Sequence, residues 1–281
     1  MERKLILRGL LAGALGGLLA FVFARIFAEP PMQAAIDYEA GRSEVQSALD
    51  KAAGMPMDPE GPELFSRAVQ GNLGIGLGMV LFGVAMGALF AVVYTVLLGR
   101  VGRVRARVLA LLVSGAGFVS LYLVPFLKYP ANPPAVGNHA TIGARTGLYL
   151  VMVAAGVLFL VAALLVGKRL APKLGTWNAA LAAGAAFVVL TGILMALLPS
   201  LGDLAGNVAE HGAHGTETPL PLKDAAGQIV YPGFPADTLF DFRLYSVLSQ
   251  VVLWGTIALV FGPLAERVLH GGRPVEAVAG A

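Results

Sequence analysis

The chain has 281 residues, 57% of them hydrophobic and 13% charged, with a mean hydropathy of +0.76. An ordinary soluble domain is nearer half apolar and a quarter charged, so the composition excludes that class and identifies a membrane protein. Cysteine is absent, which excludes disulfides, thiolate metal sites and cysteine nucleophiles and leaves any metal to His, carboxylate, carbonyl, water or Met; the net charge of +3 carries less meaning here than the sidedness of the charges.

The first apolar run, Leu5 to Ala28, follows Met1-Glu2-Arg3-Lys4. It is too long for a signal-peptide core and lacks a small-x-small cleavage site, so it is expected to be a retained anchor. Gly9, Gly13 and Gly17 recur every fourth residue and give one face a smooth strip where another helix can approach closely. From Glu29 to Gln70 the composition turns acidic and polar, with Pro30, Pro31, Pro56, Pro59 and Pro62 as breaks. Within it, Met32 to Ala53 has helix-like apolar spacing and predicts a short amphipathic helix on the membrane face. Glu29, set directly after the first span and before two prolines, is the acid singled out here.

The second span, about Asn72 to Leu98, is dense in glycine, and Met79 and Met86 share a face seven residues apart. They are core filler or soft donors to an ion, the former being the commoner use. A short basic loop, Arg100, Arg103, Arg105 and Arg107, leads to span three, Val108 to Leu127.

Between spans three and four lies Lys128-Tyr129-Pro130-Ala131-Asn132-Pro133-Pro134-Ala135-Val136-Gly137, followed by Asn138, His139, Thr141, Arg145 and Thr146. Prolines fix the backbone angle and remove donors while Gly137 permits a turn, so the stretch is predicted to be irregular and extended. It reads either as a surface connector or as a functional site at the hydrocarbon boundary, where polar groups are costly. Span four is Gly147 to Val166, and Lys168, Arg169 and Lys173 mark a second short basic loop. Span five is Trp177 to Leu198, a polar stretch runs from Ser200 to Asp241, and span six is Phe242 to Leu264.

The expected fold is therefore all-α: a polytopic membrane helix bundle of about six transmembrane helices, with both termini cytoplasmic. It forms one transmembrane domain over residues 1–270, with external loops 29–70, 128–146 and 200–241 and a disordered tail at 271–281. The short basic loops fix the sides: the inner side holds 12 of the 20 Lys and Arg and 3 of the 17 acids, a net of +9, and the outer side has a net of −6.

The last outer loop carries Glu210, His211, His214 and Glu217, nitrogen and oxygen donors that suit Co, Ni, Zn or Mn. In a glycine-rich loop they suit transient capture, or are simply a solvated polar segment. At the outer end of span six, Arg243, Ser246 and Gln250 follow i, i+3, i+7 spacing, a polar stripe that faces a bundle interior or bonds another helix. There is no His-Glu-x-x-His, no Gly-x-Ser-x-Gly and no Gly-x4-Gly-Lys-Ser/Thr, so neither an enzyme nor a nucleotide-driven pump is indicated.

Glu29-Pro30, the Lys128 to Gly137 motif, Thr141-Ile142-Gly143-Ala144-Arg145-Thr146, and Phe234-Pro235-Ala236-Asp237 leading to Phe242-Arg243-Leu244 together resemble the CbtA family, cobalt transporter subunits of bacteria. The resemblance covers nearly the whole chain and implies a multi-pass protein of the bacterial inner membrane. It also implies a small partner, CbtB, a single-span protein with a histidine-rich tail, and uptake of cobalt as substrate with no resident cofactor. No nucleic acid partner is expected; a homo-oligomer in the lipid bilayer remains open. The match gives prominence to Glu29, Lys128, Tyr129, Asn132, Arg145, Asp237 and Arg243. Consistent with the residues is a route in which His211, His214, Glu210 and Glu217 capture a divalent ion and pass it to Glu29, Asn132, His139 and Asp237. A non-transporting scaffold, sensor or assembly protein fits the same six spans.

Overall fold

Long apolar runs with glycine but little proline satisfy their backbone groups internally as helices, the form a single segment must take in lipid. A computed structural model describes residues 2–55, 70–102, 104–212 and 216–270. In chain order these give α1 (Glu2–Phe27), α2 (Glu29–Ala52), α3 (Ile75–Leu97, entered through a π turn at Gln70–Gly74), α4 (Ala106–Gly117), a π turn at Phe118–Leu123, α5 (Val124–Lys128), α6 (Ile142–Leu197), α7 (Ala205–His211) and α8 (Ala236–His270). Short 3-10 turns at His139–Thr141 and Leu201–Asp203 and a two-stranded antiparallel ribbon, β1 (Leu222–Lys223) with β2 (Ile229–Tyr231), complete the described chain. The tail from 271, Pro56, Pro59, Pro62 and His214 lie outside the described residues.

Among the described residues five helices are long and apolar enough to cross a membrane. One of them cannot be a single crossing: α6 has 56 residues and would run about 84 Å at about 1.5 Å per residue, against a hydrocarbon core of about 30 Å. Its break is at Gly175, with φ 75 and ψ 159, three residues after Pro172. A Cβ on Gly167 would touch Ala183 Cβ at 3.3 Å, so the arms on either side of the break pack together. Arms that double back cross twice, which brings the described helices to the six crossings expected.

Three boundaries differ from expectation. The acidic segment begins its helix at Glu29 rather than Met32, because Pro30 and Pro31 occupy the first turn, where a missing N–H costs nothing and the acid suits the helix dipole. Helix α6 starts at Ile142, so the irregular part of the proline motif is confined to 129–138. The 200–241 loop is partly ordered as α7, the β1–β2 ribbon and the first turn of α8.

The chain forms two compact units. The first comprises residues 1–25, 65–118 and 248–281. Here the glycine strip of α1 meets the glycines of α3: a Cβ on Gly13 would run into the Gly83 carbonyl, one on Gly9 into the Gly87 carbonyl and one on Gly17 into the Met79 carbonyl. Only backbones without side chains reach this separation. At the basic-loop end of this unit Phe90 and Tyr94 each pack edge to face with Phe261, centroids 5.0 and 4.8 Å apart, Tyr94 donates to the Ala106 carbonyl, Arg107 pairs with Glu266 at 2.6 Å and Arg8 donates to the Leu264 carbonyl.

The second unit comprises residues 26–64 and 119–247. Its membrane part packs Val124, Tyr129 and Met152 against Phe187, Leu194 and Leu201. Its other part is a cap in which the loops assigned to the outer side meet: Ala35 and Tyr38 of α2, Val136 of the proline motif and Phe234 before α8 form one buried cluster. Burial pushes the Tyr38 phenol above its ordinary value, so it stays protonated and donates to the Pro232 carbonyl at 2.9 Å, while Tyr231 returns a bond to the Tyr38 carbonyl at 3.1 Å.

The glycine contact predicts opposite outcomes for two alanine substitutions on paired helices. Gly13→Ala should destabilise the detergent-solubilised protein by about 1–3 kcal/mol or prevent folding through backbone collision. Gly78→Ala, with nothing within 4 Å of its added Cβ, should be neutral or stabilising by up to about 1 kcal/mol. Thermal unfolding of the two variants decides, and equal shifts would contradict the packing.

Candidate functional site: a buried carboxylate under the proline motif

The irregular backbone of the proline motif must satisfy its polar groups without a helix ladder. Pro133 accepts from Val136 N–H at 3.2 Å, closing a turn that places Ala135 at φ 67 and Gly137 at φ 111. The glycine is required twice over: its φ is one that side chains rarely adopt, and a Cβ there would lie 2.7 Å from an Arg145 guanidinium nitrogen. Gly137 N–H donates to the Glu217 carbonyl at 3.1 Å, which draws residues 216–218 across the motif.

That contact brings the Glu217 side chain, 4% exposed, into the centre of a polar cluster. One carboxylate oxygen accepts from Asn132 Nδ2 at 2.9 Å and faces Arg145 Nε at 3.4 Å. The other accepts from Asn207 Nδ2 at 2.9 Å and lies 3.5 Å from Thr141 Oγ1. Asn132 is used at both ends, since its Oδ1 accepts from Arg243 Nη2 at 2.7 Å, and Arg243 Nε also donates to the Ala131 carbonyl at 3.2 Å. Thus two guanidinium groups and two carboxamides surround one carboxylate, and the cluster carries a surplus positive charge. A buried carboxylate is tolerated only when so paired.

Of the residues expected to matter, Asn132, Arg145, Arg243 and Glu217 are brought together. The others have different settings. Lys128 ends α5 with its ammonium 5.8 Å from the centre of the Tyr129 ring. Tyr129 is buried and donates to the Pro199 carbonyl at 2.9 Å, Pro133 is buried, and Pro130 and Pro134 are half-buried. Thr146 is exposed and bonds the Ile142 carbonyl of its own helix at 2.9 Å. Glu210 at the end of α7 accepts from Asn138 at 2.5 Å, and the neighbouring His139 is exposed. Glu29 opens α2 and Asp237 lies exposed in the first turn of α8. The side chain of His211, like His214, lies outside the described residues. Gln250 belongs to the first unit, where it lines a cavity of about 120 Å³ with Met79, Gly17 and Gly78. Among the described residues no three His, Asp or Glu side chains converge as a metal site would require.

Thr141, one of the polar residues that the sequence placed at the motif, is 2% exposed. One participant was not expected. Asn207 is 1% exposed, spends both amide hydrogens on the Leu201 and Glu217 oxygens, and has no partner for its own Oδ1 among the described residues. It carries no sequence signal, because its burial depends on loops far apart in the chain. A second finding is the π turn at Phe118–Leu123, close to the middle of the span Ala106–Lys128. Pro125 has no N–H for the Leu121 carbonyl, and the Tyr149 hydroxyl lies 3.5 Å from that oxygen. Single π turns inside helices are frequent at functional sites.

The family model described as probable cobalt transporter subunit (CbtA) matches residues 2–266. The chain belongs to the CbtA family. Comparison with curated proteins and with solved structures returned no match. The match reaches every helix described above and ends within α8, and with the apolar helices it makes this CbtA chain a multi-pass membrane protein.

Removing the central acid should be costly. Glu217→Gln keeps the shape but aims an amide donor at other donors, and breaking a buried pair of this kind costs about 3–5 kcal/mol. Arg145→Gln should cost less, since the Arg145 side chain is 24% exposed and Arg243 remains nearby. Thermal midpoints in detergent test the order; a Glu217→Gln variant as stable as the wild type would refute it.

Proposed function

We propose that the chain is the membrane subunit of a divalent metal uptake system of the bacterial inner membrane, with cobalt as substrate and a small histidine-rich single-span protein as partner. The observation that carries this reading is the family match over residues 2–266. Three further features support it. The net charge of −6 on the cap side raises the local concentration of cations there. A π turn at Phe118–Leu123 lies near the middle of a span. Gln250 and Met79 offer oxygen and thioether donors to a cavity among the helices of the first unit.

In this account Glu210, His211 and His214, at the exposed end of α7 and beyond it, capture the ion weakly. Glu29, His139 and Asp237 are available to hand it on, as groups outside the Glu217 cluster. The cluster itself works as a clamp. Its carboxylate oxygens and the Asn132 Oδ1 are engaged by donors, and its surplus guanidinium charge repels a divalent cation, so Asn132, Arg145 and Arg243 shape the cap rather than ligate the metal. The energy source is a gradient or a partner protein, since the chain has no phosphate-binding loop.

The test is uptake of radioactive cobalt into cells expressing the full chain with and without the histidine-rich partner. His211→Ala/His214→Ala should raise the half-saturating cobalt concentration by roughly three- to tenfold, equal to about 1 kcal/mol of lost capture, with the maximal rate retained. Asn132→Ala should lower the maximal rate through loss of the clamp. Accumulation equal to the empty vector for cobalt, nickel and zinc alike, with the partner present, would defeat the transport reading and leave a scaffold or sensor as the better account.

A further inference from the structure

The second unit contains a cavity of about 420 Å³ whose lining includes Tyr122, Phe126, Ala131, Arg145, Thr146 and Tyr149, together with Ile142 and Leu150. Its volume lies in the range of small-ligand pockets, and its walls are apolar and aromatic with one charged group, the composition such sites have. The polarity runs in one direction. Lys128 ends one wall and Ile142 begins the other, so Arg145 lies within the first turn of α6 while Leu150 lies about 7.5 Å deeper at about 1.5 Å per residue. The upper end is electropositive: Arg145 borders it and pairs with Glu217, and Arg243 binds the carbonyl of its lining residue Ala131, so two guanidinium groups stand in a cluster with one carboxylate. Ile142 and Leu150 are 54% and 59% exposed on a membrane-spanning helix, so the groove opens toward lipid.

We infer that this groove holds an anionic phospholipid of the cap-side leaflet, its phosphate against Arg145 and part of one acyl chain between Tyr122, Phe126 and Tyr149. An occupant must be anionic at the boundary, apolar below it and able to enter sideways from the bilayer, and an anionic phospholipid meets all three conditions. Guanidinium groups bind phosphate through paired charge-assisted bonds, and the tyrosine rings suit the interfacial depth. The metal-uptake reading plays no part in this assignment.

The test is native mass spectrometry of the full chain extracted from vesicles of equimolar phosphatidylglycerol and phosphatidylcholine. The wild type should retain phosphatidylglycerol over phosphatidylcholine by roughly tenfold, the ratio one bond to a charged group supplies. Thr146→Trp, which fills the groove from an exposed position bonded only to its own helix, should abolish the preference, and Arg145→Gln should reduce it. Leu18→Trp, on an exposed face of α1 in the other unit, should leave it intact. Equal retention of the two lipids by the wild type would overturn the proposal, as would a preference that survives Thr146→Trp. Should Arg145→Gln fail to fold, the headgroup comparison and Thr146→Trp still decide.

Discussion

The carboxylate of Glu217 is the constraint on which the cap depends. A charge with a side chain 4% exposed is stable only when its hydrogen-bonding capacity is filled, and the residues that fill it come from four separate parts of the chain. Asn132 belongs to the proline motif, Thr141 and Arg145 to the entry of α6, Asn207 to α7, and Arg243 reaches the cluster through Asn132 from the head of α8. Each donor is misplaced if any of these segments moves, so the cluster converts flexible connections into one arrangement. That specificity comes at an energetic cost, visible in the unpartnered Oδ1 of Asn207.

The two units use different physics for the same end. In the first, helices approach because side chains are absent: Gly9, Gly13 and Gly17 face Gly83 and Gly87, and dispersion between backbones replaces the hydrophobic drive that lipid does not provide. In the second, polar groups set the geometry, through the Glu217 cluster in the cap and the Tyr129 and Tyr149 hydroxyls against backbone carbonyls. Proline and glycine recur at the points where a helix must stop or yield: Pro125 after the π turn, Pro172 and Gly175 at the break in α6, and Gly137 beneath Arg145.

The amino-acid sequence by itself determined the class and the crossing pattern, because hydrocarbon tolerates only internally satisfied backbone and the arginine-rich short loops assign the sides. It also marked Asn132, Arg145 and Arg243 as residues whose polarity needs a reason at the membrane boundary. Tertiary structure alone decided what they do. Glu217 reads in the sequence as a companion of His214, three residues away, whereas its side chain faces Asn132 and Arg145, 85 and 72 positions earlier, because a buried charge seeks guanidinium and amide donors wherever the fold supplies them. The places of Asn207 and Thr141, the π turn in the third span and the groove beside Arg145 likewise depend on which distant segments pack together, and no local pattern of residues encodes that.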